Sequence, residues 1–445
     1  MNKQASLAAT ENIERMCSFT GSIILYLPFI ALLMVAGSVG RSAPHDILEK
    51  IDTMVYGKNP FRRIAVCYRL YKARYSGSGL KAFEALLAKM LGNNGRVLGR
   101  IYAVAYTVRG DKLYAVNEFI ARASSLFTEY VQSRIGIVRE LSKLVVMLVA
   151  ALVLAVSIAA FVTLNFNILS LTAIISILVS MLILIIIDLN KLIKLIINNK
   201  YRMILDIVYL ISVLFTVGLA IRGYKVLTLI AAASSLTVSS YILLFMQKYI
   251  KNLNNIIIIL RHIKDSFSTV GRIPAILGDS GAQAPYRGMA GLMATLSGVG
   301  GGGEAPFTTP LERLLSGIVS QLVYGGTYKH LHVVEDIVEK LARSLRQVYK
   351  NVIYLNITVV VVYVAAALSA KILLSMFTSA AVGSGPNQLI SAGSALDASS
   401  LQILLAVDAL ALASISLAAT FTMIGTIAAP SIPAIIAVYT ALSLR

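Results

Sequence analysis

Apolar residues in this chain gather into long runs, separated by stretches in which they recur at three- and four-residue steps. Eight runs are almost free of charge, at residues 20–39, 144–164, 167–187, 203–221, 226–246, 352–377, 401–420 and 422–443. A helix needs about 20 apolar residues to cross about 30 Å of hydrocarbon, so each run predicts a transmembrane helix. The first run is preceded by a short polar region but lacks the basic start of a signal peptide, because Lys3 and Arg15 are offset by Glu11 and Glu14. It is therefore expected to stay in the membrane as a span.

Between the runs lie two polar segments, 41–143 and 247–351, whose apolar residues follow helical rather than alternating spacing. In the first, Val116, Phe119, Ile120, Ala123, Leu126, Phe127 and Tyr130 share one face; in the second, Val333, Val334, Ile337, Val338, Leu341, Leu345 and Val348 do the same. Opposite charges four apart, Glu118 with Arg122, Asp336 with Lys340 and Glu339 with Arg343, are placed to support the solvated faces. Residues 70–165 and 267–377 repeat one plan, a glycine-containing loop, helices, then an amphipathic helix running without a break into a span. The fold expected is an all-α polytopic membrane protein with about eight transmembrane helices and two duplicated cytoplasmic helical bundles. Its parts are an N-terminal region and first span (1–40), a first helical domain (41–143), four spans with a short basic link (144–246), a second helical domain (247–351) and about three final spans (352–445).

Composition agrees with the pattern: 57% of the 445 residues are hydrophobic, 14% are charged and the mean hydropathy is +0.78. That excludes an ordinary soluble, disordered or disulfide-scaffold protein. Charge sets the topology. Of the formal +19, the first polar segment contributes 18 Lys+Arg against 8 Asp+Glu, the second 12 against 7, and the link 188–202 four against one, whereas 378–400 has no base at all. Lys143, Lys191, Lys194, Lys200, Arg202, Lys248, Lys251, Arg346 and Lys350 lie close to span ends, so both polar segments are expected in the cytoplasm and, with eight spans, both termini outside. Arg222 and Lys225, in an outer turn, run against that trend.

Candidate chemistry is sparse. The glycines at 298 and 300–303 are followed by Glu304, Ala305 and Pro306, not by the Lys-Ser/Thr that a phosphate cradle needs, so they read as a loop and any energy source is expected in trans. His330 and His332 lie on a helical pattern that points them apart, which argues against a metal site. Cys17 and Cys67 form no motif, and no catalytic constellation or cofactor site is seen, so no enzyme activity is expected. Two ionisable groups interrupt spans at matching depth, Lys371 and Asp408, and are expected to form an intramembrane ion pair, the alternative being a snorkelling lysine and a water-exposed aspartate. The cytoplasmic bases have three readings: topological charge, attraction to the lipid membrane, notably for residues 189–202, and docking of an acidic soluble partner.

The order of helical domains and spans, together with SGLKAFEALLAKMLGNNGRVLGRIYAVAYTVRGDKLYAVNEFI at 78–120, resembles the type II secretion F-domain family. The closer likeness is to the platform proteins of archaeal type IV pili and the archaellum. Residues 267–325 depart from that pattern through the glycine-rich insertion. The resemblance implies a cell-membrane platform without catalytic activity, on which a hexameric secretion-type ATPase docks and from which pilin-like subunits enter a filament. Arg109, Lys112, Arg122, Arg343 and Arg346 are the candidate ATPase-docking residues. Self-association into a homo-oligomer fits that role and nucleic acid does not. The competing class is a transport permease energised by a separate ATPase.

Overall fold

The computed structural model describes residues 17, 21–40, 42–50, 61–159, 166–190, 192, 199–270, 311, 314–315, 318, 322, 327–383 and 398–442. Among them all regular structure is helical. The helices are α1 (Leu27–Val39), α2 (Arg62–Arg74), α3 (Gly79–Leu91), α4 (Asn93–Arg109), α5 (Lys112–Ala159), α6 (Phe166–Ile186), α7 (Asn199–Ile221), α8 (Lys225–Val270), α9 (Tyr328–Gly383), α10 (Ala398–Ile424) and α11 (Ser431–Leu442). Two compact units divide the chain. Unit 1 holds residues 1–132, 191–198 and 248–346, and unit 2 holds 133–190, 199–247 and 347–445.

In unit 1, α1 is the most buried element, with Leu27 to Gly37 all enclosed and the hydrophobic ones at 0–2% exposure. The 3₁₀ turn Pro44–Lys50 packs against it, and only glycine fits at the closest point, where a Cβ on Gly37 would lie 2.5 Å from the Pro44 carbonyl oxygen. Lys112 Nζ donates to the Gly40 and Ser42 carbonyls, at 2.7 and 3.0 Å, just past the helix end. Helices α2, α3 and α4 pack in sequence, with Tyr68, Phe83, Tyr102 and Phe119 fully buried between them and α5.

The first expected span is thus enclosed by protein. Residues 20–39 carry a 3₁₀ helix, Gly21–Tyr26, that runs directly into α1, and Cys17 before it is disulfide-bonded to Cys67 after it, with Cα atoms 5.7 Å apart. The apolar run is buried within unit 1.

Among the described residues four helices are long and apolar enough to cross a membrane, within Met203–Ile221, Lys225–Lys248, Tyr328–Ile372 and Gln402–Ile424, and the chain is accordingly a membrane protein. They differ in how much protein surrounds them. Only 11% of the Met203–Ile221 window is buried, leaving Ile211, Phe215 and Ile221 outward-facing, against 56% for Gln402–Ile424. Helix α10 is thus the inner helix, packed on α6 and α11.

Helices α5, α8 and α9 run 48, 46 and 56 residues without a break and each has residues in both units. The unbroken passage from amphipathic to apolar sequence expected at 124–161 and 334–377 is what α5 and α9 show. Their expected inner faces are buried too, at Val116, Phe119, Ile120, Ala123, Leu126 and Phe127, and at Val334, Ile337, Val338, Leu341, Leu345 and Val348.

The end of the chain departs from two equal spans. Helix α10 continues to Ile424, residues 425–430 are non-helical, with Gly425 at φ 77°, and α11 has 12 residues, about 18 Å. That is short of the ~30 Å of a hydrocarbon core.

Candidate functional site

The candidate docking residues belong to unit 1, and the structure gives them different employment. Lys112 caps carbonyls after α1, as above. Arg343 donates to Glu339 at 2.6 Å, four residues earlier on α9, and Arg346 donates to Asn254 of α8. Arg122 is exposed, and no contact among the described residues joins it to Glu118. A pair of exposed chains gains only a few tenths of a kcal/mol, too little to fix that geometry. The Arg109 side chain lies outside the described residues, as does the glycine-rich loop.

Arg343 and Arg346 lie at one end of a longer seam between α8 and α9 within unit 1. Glu335 is buried and receives Arg261 Nε and Lys264 Nζ, each at 2.6 Å; Arg261 also reaches Glu339 at 3.3 Å, and Lys340 pairs with Asp336 at 2.6 Å. Burial alone would raise the Glu335 carboxyl, but hydrogen bonds from Lys264 and Arg261 hold it below its ordinary value. The two expected four-residue pairs on α9 are made, and the seam's partners on α8 complete them.

A second cluster surrounds His45. Its Nδ1 lies 2.9 Å from the Tyr102 hydroxyl, and Phe83 stacks on the ring at 6.0 Å. Next to it, Asp46 accepts from the Tyr68 hydroxyl at 2.9 Å and from Lys72 at 3.0 Å. Gly79 closes the cluster, since a Cβ there would fall within 3 Å of the Asp46 carboxylate, His45 Nε2 and the Tyr68 hydroxyl. Burial pushes His45 down to about 4, Asp46 opposing and Lys72 adding to the fall. Asp46 is held low, because the bonds from Lys72 and Tyr68 outweigh its burial. The histidine is therefore a neutral core group at pH 7.

His330 and His332 diverge as their spacing predicts. His330 is buried, its Nδ1 receiving the Thr327 N–H at 3.2 Å, while His332 is 63% exposed in side chain and 3.8 Å from Glu335. No cluster of three metal-ligating side chains occurs among the described residues.

Unit 2 holds a buried polar hub. Asn356 of α9 donates to Thr420 Oγ1 at 3.2 Å, and its Oδ1 accepts from Ser416 and Ser431 hydroxyls at 2.9 Å and from the Ser431 N–H at 3.3 Å. The hub ties α9, α10 and α11 at the helix break. There, the Tyr209 hydroxyl donates to the Ala429 carbonyl at 2.7 Å, and Thr426 donates to Asp206. Non-helical backbone is tolerated at membrane depth only when such partners satisfy it. Elsewhere Ser212, Thr216 and Ser235 join α7 to α8, and Ser180 joins α6 to Ser414 of α10 at 3.1 Å.

The expected ion pair between Lys371 and Asp408 is not made. Lys371 is exposed, whereas Asp408 is 2% exposed, with Oδ2 lacking a hydrogen-bond partner among the described residues. Equal depth fixes only height. The contact between α9 and α10 runs through Ala367, Ala370, Leu404 and Leu405, and Asp408, one turn after Leu404, is drawn into that face without the lysine. Its aromatic neighbour is Tyr363, whose hydroxyl donates to the Leu405 carbonyl at 3.3 Å.

Sequence reasoning passed over Glu335, His45 and Asn356. Asn356 left a signal, an amide inside an apolar run; Glu335 and His45 left none, because their partners come from distant segments. No family model, curated protein or solved structure matches this chain.

Proposed function

We propose that this chain is the membrane platform of a type IV pilus-like or type II secretion-like filament machine. In this reading a cytoplasmic secretion ATPase works on unit 1, the chain itself is not an enzyme and needs no cofactor, and unit 2 passes the motion to pilin-like subunits. The observation that carries it is the continuity of α5 and α9, which run from amphipathic to apolar sequence with no break at which motion would dissipate. The two helices end the two copies of a parallel duplication.

In this reading 20–39 packs within unit 1 in the cytoplasm, and the remaining runs keep the multi-pass topology that the basic residues favour. A cytoplasmic Cys17–Cys67 disulfide fits a hyperthermophilic archaeon, where intracellular disulfides are common. Arg122 is the docking residue to test, being exposed and unpaired among the described residues, whereas changing Lys112, Arg343 or Arg346 also breaks internal contacts. Arg122→Glu should weaken co-purification of the cognate ATPase and leave thermal stability unchanged; undiminished association would remove this face of α5 as the docking surface.

The second reading, a permease energised by a separate ATPase, draws on Asp408 and the break at 425–430. It requires solute flux into proteoliposomes that Asp408→Asn abolishes.

A further inference from the structure

In unit 2 a cleft of about 710 Å³ opens between α5 and α9, and its lining changes character along its length. One end carries Arg139, Lys143 and Lys350, with the buried Ile135 and Val138 beside them. Arg139 donates to Asn351 across the cleft at 3.3 Å, Lys143 is 2.8 Å from Glu140 on its own helix, and Lys350 is exposed with no ion pair among the described residues. Three cations against one carboxylate leave this end positive. The other end is lined by Val146, Met147 and Val359. At 1.5 Å per residue the lining passes from Lys143 to Met147 in about 6 Å and from Lys350 to Val359 in about 14 Å. The change falls where the apolar runs 144–164 and 352–377 begin.

We infer that this cleft binds one anionic phospholipid, its headgroup phosphate on Arg139, Lys143 and Lys350 and an acyl chain laid along Val146, Met147 and Val359. Charge complementarity selects an anion, since basic pockets between transmembrane helices on the cytoplasmic side suit acidic headgroups. The apolar continuation selects an anion that carries a hydrocarbon chain, and excludes free phosphate as the full ligand. A bilayer lipid supplies both parts in that order along the membrane normal. The inference needs only the membrane placement of the two apolar runs and does not depend on the platform reading.

The test uses the full chain, purified in mild detergent and loaded with either a phosphatidylglycerol or a phosphatidylcholine, with retained lipid counted by native mass spectrometry. One phosphatidylglycerol should survive delipidation, phosphatidylcholine should not replace it, and millimolar inorganic phosphate should not displace it. Arg139→Gln with Lys143→Gln and Lys350→Gln should lower its retention at least tenfold, while Lys248→Gln with Lys251→Gln, which lie outside the cleft, should not. Met147→Trp keeps the charges and fills the apolar end, so it too should lose the lipid and decides the matter if the triple variant does not fold. Equal retention of both lipids, or wild-type retention in the triple variant and in Met147→Trp, overturns the inference. So does displacement by an acidic amphipathic helix from a chain that shows no preference between the lipids.

Discussion

Acidification from pH 7 to pH 5 should destabilise unit 1 through His45. The ring is 3% exposed, enclosed by Phe83, Tyr102 and Tyr106, and its protonation falls from the ordinary 6.5 to about 4. A base whose folded value lies below its unfolded one contributes in full above 6.5 and is lost as pH falls toward 4. Linkage then gives a loss of about 2 kcal/mol at pH 5 and about 3 kcal/mol once both values are passed. In a unit of this size 2 kcal/mol lowers the midpoint by about 4–8 °C. His45→Phe removes the titration and keeps the aromatic contacts, at a cost of about 1 kcal/mol for the bond to Tyr102. The assay is thermal unfolding of the full chain in detergent, followed by near-UV circular dichroism of its 21 tyrosines, which no tryptophan obscures. The wild type should lose several degrees between pH 7 and pH 5 and the variant markedly fewer. Because every group other than residue 45 is the same in both proteins, an equal loss in the two would refute the reasoning.

Asp408→Leu should raise the unfolding midpoint, because it removes a buried carboxyl oxygen with no partner among the described residues, a feature that costs about 1–3 kcal/mol, whereas exposed Lys371→Met should shift stability by under about 0.5 kcal/mol; a destabilised Asp408→Leu chain would point to a further partner for that carboxyl. Asn356→Leu should cost about 2 kcal/mol and speed hydrogen exchange around 425–431, since three donors lose their acceptor at once; unchanged exchange there would remove Asn356 as the hub. Replacing Cys17 and Cys67 with serine should cost about 2–4 kcal/mol and make the N-terminal region protease-sensitive, and non-reducing peptide mapping should recover the two cysteines linked in the wild type.

The parts of the fold legible in the sequence are those fixed by local periodicity. The buried faces of α5 and α9 and the pairs Asp336–Lys340 and Glu339–Arg343 follow from three- and four-residue spacing alone. Residues 20–39 show where that reasoning stops. Hydropathy records that a segment avoids water, and either lipid or protein can replace the water; the cover supplied by Pro44–Lys50 and the bond from Cys17 to Cys67 are not encoded within the run. The break at 425–430 was visible in Gly425 and Pro430, punctuation that an unbroken apolar tally overrides. Lys371 and Asp408 agreed in height, but the direction in which each points depends on how α9 packs on α10, through Ala367, Ala370, Leu404 and Leu405. Glu335 has partners more than 70 residues earlier on α8, a pairing no local pattern announces.

The platform account is tested most directly by reconstituting the full chain in nanodiscs with its cognate hexameric ATPase and measuring ATP hydrolysis alongside binding. The account predicts no hydrolysis by the chain alone, saturable binding of the ATPase, and stimulated turnover that Arg122→Glu reduces. Absence of binding, together with Asp408-dependent solute flux in proteoliposomes, would contradict it and leave the permease reading in its place.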